Sequence, residues 1–161
     1  MTGPFVVQWA APGRLAMMPR PDGGSHLPGA LAALRDQGVD LLVSALTDRD
    51  RRHLGLIAEP EVASAHGLAY REFPIPDFGV PDRDALIMLS HDLAGEVRDG
   101  RYTVVHCHGG VGRTGVIVGA TLIALGATPD QAMDLMRTAR GRRSPETGEQ
   151  VALLHGLTPG S

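Results

Sequence analysis

The chain has one cysteine, Cys107, in 161 residues. One thiol cannot close an internal disulfide, which points to a reducing compartment. Long hydrophobic runs are equally scarce. The longest nearly apolar stretch, Gly115 to Ala127, is 13 residues, short of the ~18–20 that a bilayer-crossing helix needs. The amino terminus, Met1-Thr2-Gly3-Pro4-Phe5, lacks the basic segment and long apolar stretch of a secretory signal. There is no excess of positive charge either. The net charge is -3, with both signs mixed along the chain, which argues against a nucleic-acid-binding face. No internal repeat and no low-complexity segment is visible. These absences lead us to expect a single domain over residues 1–161, cytoplasmic, with no membrane and no nucleic acid as partner. A charged partner would have to be recognised locally.

What is present is an alternation of strand-like and helix-like segments. Phe5-Val6-Val7-Gln8-Trp9 and Arg14-Leu15-Ala16-Met17-Met18 flank Ala11-Pro12-Gly13, which predicts a hairpin. A Pro- and Gly-rich loop covers Pro19 to Gly29, and Leu27 to Gln37 is helical by period. Val39 to Ser44 follows as a strand, Asp48-Arg49-Asp50-Arg51-Arg52 opens a weak helical region, and Glu59 to His66 forms a short helix ended by Gly67. Leu68 to Phe73 is the next strand. Residues 74–81 hold too much proline for a helix or a central strand and form an ordered loop. Asp82 to Asp99 is an amphipathic helix, Thr103 to His106 a buried strand, and Gly112 to Leu125 an apolar helix. Helices at Pro129 to Ala139 and from about Thr147 to Leu154 complete the chain. The order implies an α/β fold, a mainly parallel central sheet with helices on both faces.

The chemistry is concentrated in His106-Cys107-His108-Gly109-Gly110-Val111-Gly112-Arg113-Thr114-Gly115. This decapeptide lies between the carboxyl end of a strand and the amino end of a helix, where open α/β sheets bind ligands. A thiol there feels the helix dipole and unpaired N–H groups, a setting in which cysteine ionises well below its usual range. Amides from His108 through Gly109, Gly110, Val111 and Gly112 to Arg113 can ring an anion, with the glycines letting the backbone come close. Arg113 can close the ring with a planar two-pronged contact that fits a phosphate face. The Thr114 hydroxyl is suited to donate to the sulfur and steady it as a leaving group. Three other readings fare worse. A Walker loop would need glycine at Cys107 and lysine at Arg113. A metal site at His106-Cys107-His108 lacks a second cluster to complete it. A buried structural cysteine explains neither the arginine nor the glycine spacing.

His106, Cys107, Gly110, Arg113, Thr114 and Gly115 match H-C-x-x-G-x-x-R-T-G, and the segment resembles the signature of the cysteine-dependent tyrosine and dual-specificity phosphatases. Gly109 stands where many members carry alanine, a departure expected to loosen the loop slightly. The resemblance implies the protein-tyrosine-phosphatase-like fold and a phosphocysteine intermediate, with His106 setting the loop and the thiol by its hydrogen bonds. Transfer from a phosphoester to a thiolate needs an acid for the leaving oxygen. Asp77, 30 residues before Cys107 in Pro74-Ile75-Pro76-Asp77-Phe78-Gly79-Val80-Pro81, resembles the general acid of compact dual-specificity members. A turn-capping aspartate is the plainer explanation of the same composition. Asp82 and Asp84 are the near alternatives for that acid, and Asp82 better suits the cap of the following helix.

Ser144-Pro145-Glu146-Thr147-Gly148-Glu149-Gln150 looks like the E-T-x-x-Q stretch of some compact phosphatases, in which the glutamine, here Gln150, orients the hydrolytic water. Thr147 and Gln150 also satisfy a capping box, which needs no catalysis. Arg137, Arg140, Arg142 and Arg143 suit either an acidic substrate flank or a helix end opposing its dipole. The histidines at 26, 53, 66, 91 and 155 show no convergent spacing. We expect hydrolysis of phosphotyrosine in protein or peptide, with phosphoserine and phosphothreonine as further candidates. No cofactor and no metal is called for, since Arg113 and the amides bring the positive charge. The rival readings are a phosphoinositide or RNA 5′-phosphate phosphatase, a non-catalytic phosphate-binding module of this fold, and a sulfur-transfer or arsenate-reducing enzyme. The loop has no lysine of the kind seen in lipid-directed relatives. The chain's length leaves little room for pocket-deepening loops, which favours a shallow cleft.

Overall fold

A computed structural model describes residues 3–160, and they form a five-stranded sheet in the order β1-β2-β5-β3-β4. The strands are β1 (Phe5–Val6), β2 (Arg14–Met18), β3 (Leu41–Ser44), β4 (Ala69–Glu72) and β5 (Tyr102–His106). The hairpin expected at the start is present, with β1 antiparallel to β2. It is shorter than its apolar run suggests: Val7 N–H still bonds Leu15 O at 2.9 Å, but Gln8 and Trp9 leave the strand. The other strands are parallel. β3 and β5 are buried along their whole length, as a sheet covered on both faces requires.

The helices are α1 (Leu27–Asp36), α2 (Asp48–Leu54), α3 (Glu59–Ala65), α4 (Arg83–Arg98), α5 (Gly112–Ala124), α6 (Pro129–Arg140) and α7 (Gly148–His155). Steps from β2 to β3 and from β3 to β4 run one way across the sheet, and the step from β4 to β5 runs back. Right-handed crossovers therefore set α1 and α3 on one face and α4 on the other. A short 3-10 turn at Gly24–His26 interrupts the loop read over Pro19 to Gly29. α5 is apolar from Gly115 onward except for Thr121, and every residue in it is buried, because α4, α6 and α7 pack about it. Small residues permit that packing. A Cβ at Gly119 would stand 2.7 Å from the Leu154 side chain, and one at Gly115 would stand 2.2 Å from Ser144 Oγ.

Strand register then decides where the chemistry gathers. Met18 and Ser44 both pair with His106, and Ser44 pairs with Glu72. Four parallel strands thus end at one level, so Pro19-Arg20, residues 45–50, residues 73–77 and Cys107 leave the same sheet edge side by side. The pairing continues past the strand ends: Phe73 N–H donates to Ser44 O at 2.8 Å and Ile75 N–H to Ala45 O at 3.0 Å. No helix among the described residues is long and apolar enough to cross a membrane.

Candidate active site

β5 delivers Cys107 at its carboxyl end, and α5 begins at Gly112. The five residues between show a consistent carbonyl pattern. Cys107 O faces His106 Nδ1 at 3.2 Å, and His108 O accepts from Arg20 N–H at 3.1 Å. Gly109 O and Gly110 O accept from Arg140 Nη2 and Nε, each at 3.2 Å. Val111 O accepts from Ser144 Oγ at 2.6 Å and from Gly115 N–H at 3.1 Å. Every carbonyl from Cys107 to Val111 is therefore engaged on the outside of the turn. In a trans peptide the N–H lies opposite the C=O, so the amides of His108 to Gly112 turn toward the inside. Gly110 N–H reaches Cys107 Sγ at 3.3 Å, and the sulfur is buried. The result is an anion nest with a thiol at its floor.

Gly110 is the residue that this turn cannot replace. Its φ is +73°, and a Cβ there would stand 2.4 Å from the Met18 carbonyl. Gly109 differs: its φ is ordinary and a Cβ would meet nothing within 4 Å. The loosening expected from glycine at this position is countered by Arg140, which grips its carbonyl.

Arg113, in the first turn of α5, is almost wholly buried. Nη1 donates to Asp50 Oδ2 at 2.6 Å and to Ile75 O at 3.0 Å, and Nη2 lies 3.4 Å from Asp77 Oδ1. Asp77 sits in the turn Pro76–Gly79, closed by Gly79 N–H to Pro76 O at 2.8 Å. Its carboxylate also accepts from Phe78 N–H at 3.1 Å, so the turn-capping role and proximity to Arg113 hold together. Phe78, exposed, adopts a φ of 60° in the left-handed region. Asp82 caps α4 through Ala85 N–H at 2.9 Å.

Asp50, missed in the sequence, is the third residue of α2 and completes a capping box with Thr47. Burial pushes its carboxyl up, but the Arg113 guanidinium and the Thr47 donors outweigh that and hold it below the usual carboxylate range. The spacing Thr47-x-x-Asp50 signals a helix start; nothing local signals the tie to Arg113. Glu59 was missed too. Its Oε2 lies 2.6 Å from His106 Nε2 with both side chains fully buried, and its Oε1 accepts from the Tyr70 hydroxyl at 3.3 Å. Burial and the Glu59 charge push the Tyr70 phenol well up.

Two residues sit differently from their expected roles. The Thr114 hydroxyl is buried and makes no hydrogen bond, so the donation to sulfur is not made in this structure. Gln150 is fully buried and its amide is committed. Oε1 accepts from Glu146 N–H at 3.0 Å and Thr147 N–H at 3.1 Å, while Nε2 donates to Gly79 O at 3.0 Å. It spans from the α7 cap to the Asp77 loop rather than facing open solvent. In the basic run, Arg137 pairs with Asp134 at 3.0 Å and Arg140 grips the loop. No group of three or more His, Cys, Asp or Glu side chains among the described residues is placed to hold a metal ion.

Residues 4–161 match the family model described as a Swiss Army Knife protein, DSP-PTPase phosphatase domain. Cyclin-dependent kinase inhibitor 3 of Rattus norvegicus is 34% identical over 92 residues, which are 56% of this chain and 43% of that protein. The chain thus spans less than half the length of that relative. Among solved structures, kinase associated phosphatase with its catalytic-site cysteine replaced by serine superposes with a TM-score of 0.81 at 22% identity, covering 88% of this chain and 84% of the other. Tk-PTP in its active form gives a TM-score of 0.74 at 24% identity, covering 94% of each chain. At these identities the two structures show a shared fold.

Proposed function

The chain belongs to the cysteine-dependent tyrosine and dual-specificity phosphatases, and on that premise we propose that it hydrolyses phosphomonoesters on protein, phosphotyrosine foremost. The observation that carries this reading is the run of outward-held carbonyls from Cys107 to Val111, which leaves a ring of amides over one thiol. Such a ring matches the equatorial oxygens of a phosphoryl group. In the first step the Cys107 thiolate attacks phosphorus in line with the leaving oxygen. An S–P bond forms, the P–O ester bond breaks, and Asp77 gives its proton to the departing oxygen. In the second step Asp77 takes a proton from water, whose oxygen attacks phosphorus. The S–P bond breaks, inorganic phosphate leaves, and the thiolate is restored.

Arg113 is the ligand for the phosphoryl oxygens that the amides do not reach, and Asp50 fixes its guanidinium. Because Nη2 also neighbours Asp77, a phosphate that takes up Nη2 brings the acid close to the leaving oxygen. Protein as substrate is supported by the names of the relatives, a kinase inhibitor and a kinase associated phosphatase. The thiol chemistry suits a reducing, cytoplasmic compartment, because an ionised cysteine oxidises readily.

The test is turnover of nitrophenyl phosphate and a phosphopeptide panel by wild type, Cys107→Ser and Asp77→Asn. We expect Cys107→Ser to abolish turnover while retaining phosphate. Asp77→Asn should lose roughly 10²–10⁴-fold on phosphopeptides, the usual worth of a placed acid. Activity should persist in EDTA. A wild type that hydrolyses nothing, or that needs a divalent ion restored, overturns the reading.

A further inference from the structure

We propose that Arg140 is a positioning residue that holds the Gly109 and Gly110 peptide planes in the anion-binding orientation, from the side opposite the phosphate. The inference rests on the loop reading above and adds a residue to it. Arg140 ends α6, remote in sequence from the loop, and presents two donors of one rigid fork to two successive carbonyls. With the Gly109 carbonyl held outward, the N–H of the same peptide plane, that of Gly110, points inward to Cys107 Sγ. With the Gly110 carbonyl held outward, Val111 N–H turns inward too.

The grip is needed because both residues are glycine. Nothing in a glycine backbone prevents a peptide plane from rotating, and each rotation would replace an inward N–H with a carbonyl dipole facing the anion. Met18 and Pro19 backbone atoms already fill the place a Gly110 Cβ would take, so the chain is confined on that side. Arg140 supplies the outer restraint. Its guanidinium is fixed in turn by the Phe5 ring, 4.3 Å from the centroid, so the short strand β1 buttresses the loop through one side chain. The same arrangement argues against Arg140 as a substrate contact, because Nε and Nη2 are committed to the loop.

The test is inorganic phosphate affinity, read as protection of Cys107 from iodoacetate in wild type, Arg140→Met and Arg140→Lys, beside nitrophenyl phosphate kinetics and thermal melts. We expect Arg140→Met to weaken phosphate at least tenfold and to lower kcat/KM in parallel, with the melting midpoint nearly kept. Arg140→Lys, which keeps the charge without the flat fork, should recover part of the affinity. Unaltered phosphate affinity in Arg140→Met overturns the proposal. So does a rise in KM confined to phosphopeptides, which would make Arg140 a substrate contact. Should Arg140→Met not fold, unaltered phosphate affinity in Arg140→Lys overturns it equally. Protection reads binding without turnover. A wild type that binds phosphate and hydrolyses nothing therefore sinks the hydrolase reading alone.

Discussion

Arg113 and Asp50, 63 residues apart in the chain, meet at 2.6 Å, and the carboxylate oxygen that anchors the guanidinium is the one that caps α2. One side chain thereby ties a helix start to the buried arginine that we propose as the phosphate ligand. Asp50→Asn should cost about 1.5–3 kcal/mol, the range for a hydrogen bond to a charged partner. Catalysis should fall by up to roughly 100-fold as Arg113 loses its fixed position. The Asp50 carboxyl is held below its unfolded value of about 3.9, so its stabilisation is full above that unfolded value and fades as pH falls through the lower folded value. Urea unfolding of both proteins between pH 3 and 6 (roughly the window on either side of that value) checks the sign. A stability gap that widens toward acid pH contradicts it.

The two adjacent loop glycines should respond in opposite ways. Gly109→Ala meets no neighbour and no unusual φ, so it should stabilise by about 0.4–1 kcal/mol through the unfolded chain and keep activity. Gly110→Ala forces a Cβ into the Met18 carbonyl at a φ of +73° and should abolish phosphate binding. Calorimetry and phosphate titration of the pair decide it; equal effects of the two changes would mean that the loop is not held as described.

Gln150 ties the Asp77 loop to α7 through Gly79 O. Gln150→Ala should therefore act through the acid, costing roughly tenfold on alkyl phosphates, out of the ~10²–10⁴ that a placed acid supplies. Nitrophenyl phosphate, whose leaving group hardly needs a proton, should lose much less. Equal losses on both substrates would remove Asp77 from the explanation.

Glu59 and His106 form a fully buried pair at 2.6 Å. Glu59→Ala leaves the imidazole without its partner in a dry site and should destabilise by about 3–5 kcal/mol. Glu59→Gln, which keeps the shape and one hydrogen bond, should lose less. A melting temperature unmoved by Glu59→Ala is incompatible with the pair as drawn.

Much of the architecture was legible because hydrophobic period and punctuation are local. The apolar run after Gly115 is a buried helix, Gly100 follows α4, and Asp82 caps it. Trp9 shows the limit: its run has strand composition, but pairing with β2 stops at Val7 and leaves Gln8 and Trp9 outside the strand. Cys107 and Arg113 were legible because their spacing lies within one loop. Gln150 was legible as a capping box, while its bond to Gly79 spans 71 positions and has no local signature.

From the sequence alone came the loop with its one cysteine, the arginine five residues after the histidine that follows it, and the alternation that makes a parallel sheet. These are short-range properties, set by residue type and spacing. Only the tertiary structure decided which distant groups complete the site. Parallel strands ending in register at His106 bring Asp50, Asp77 and Arg20 to one edge, and close packing about α5 swings Arg140 and Gln150 onto the loops. The physical reason is that a buried carboxylate, carbonyl or guanidinium must find a partner wherever the fold supplies one. That partner need not be a neighbour in the chain.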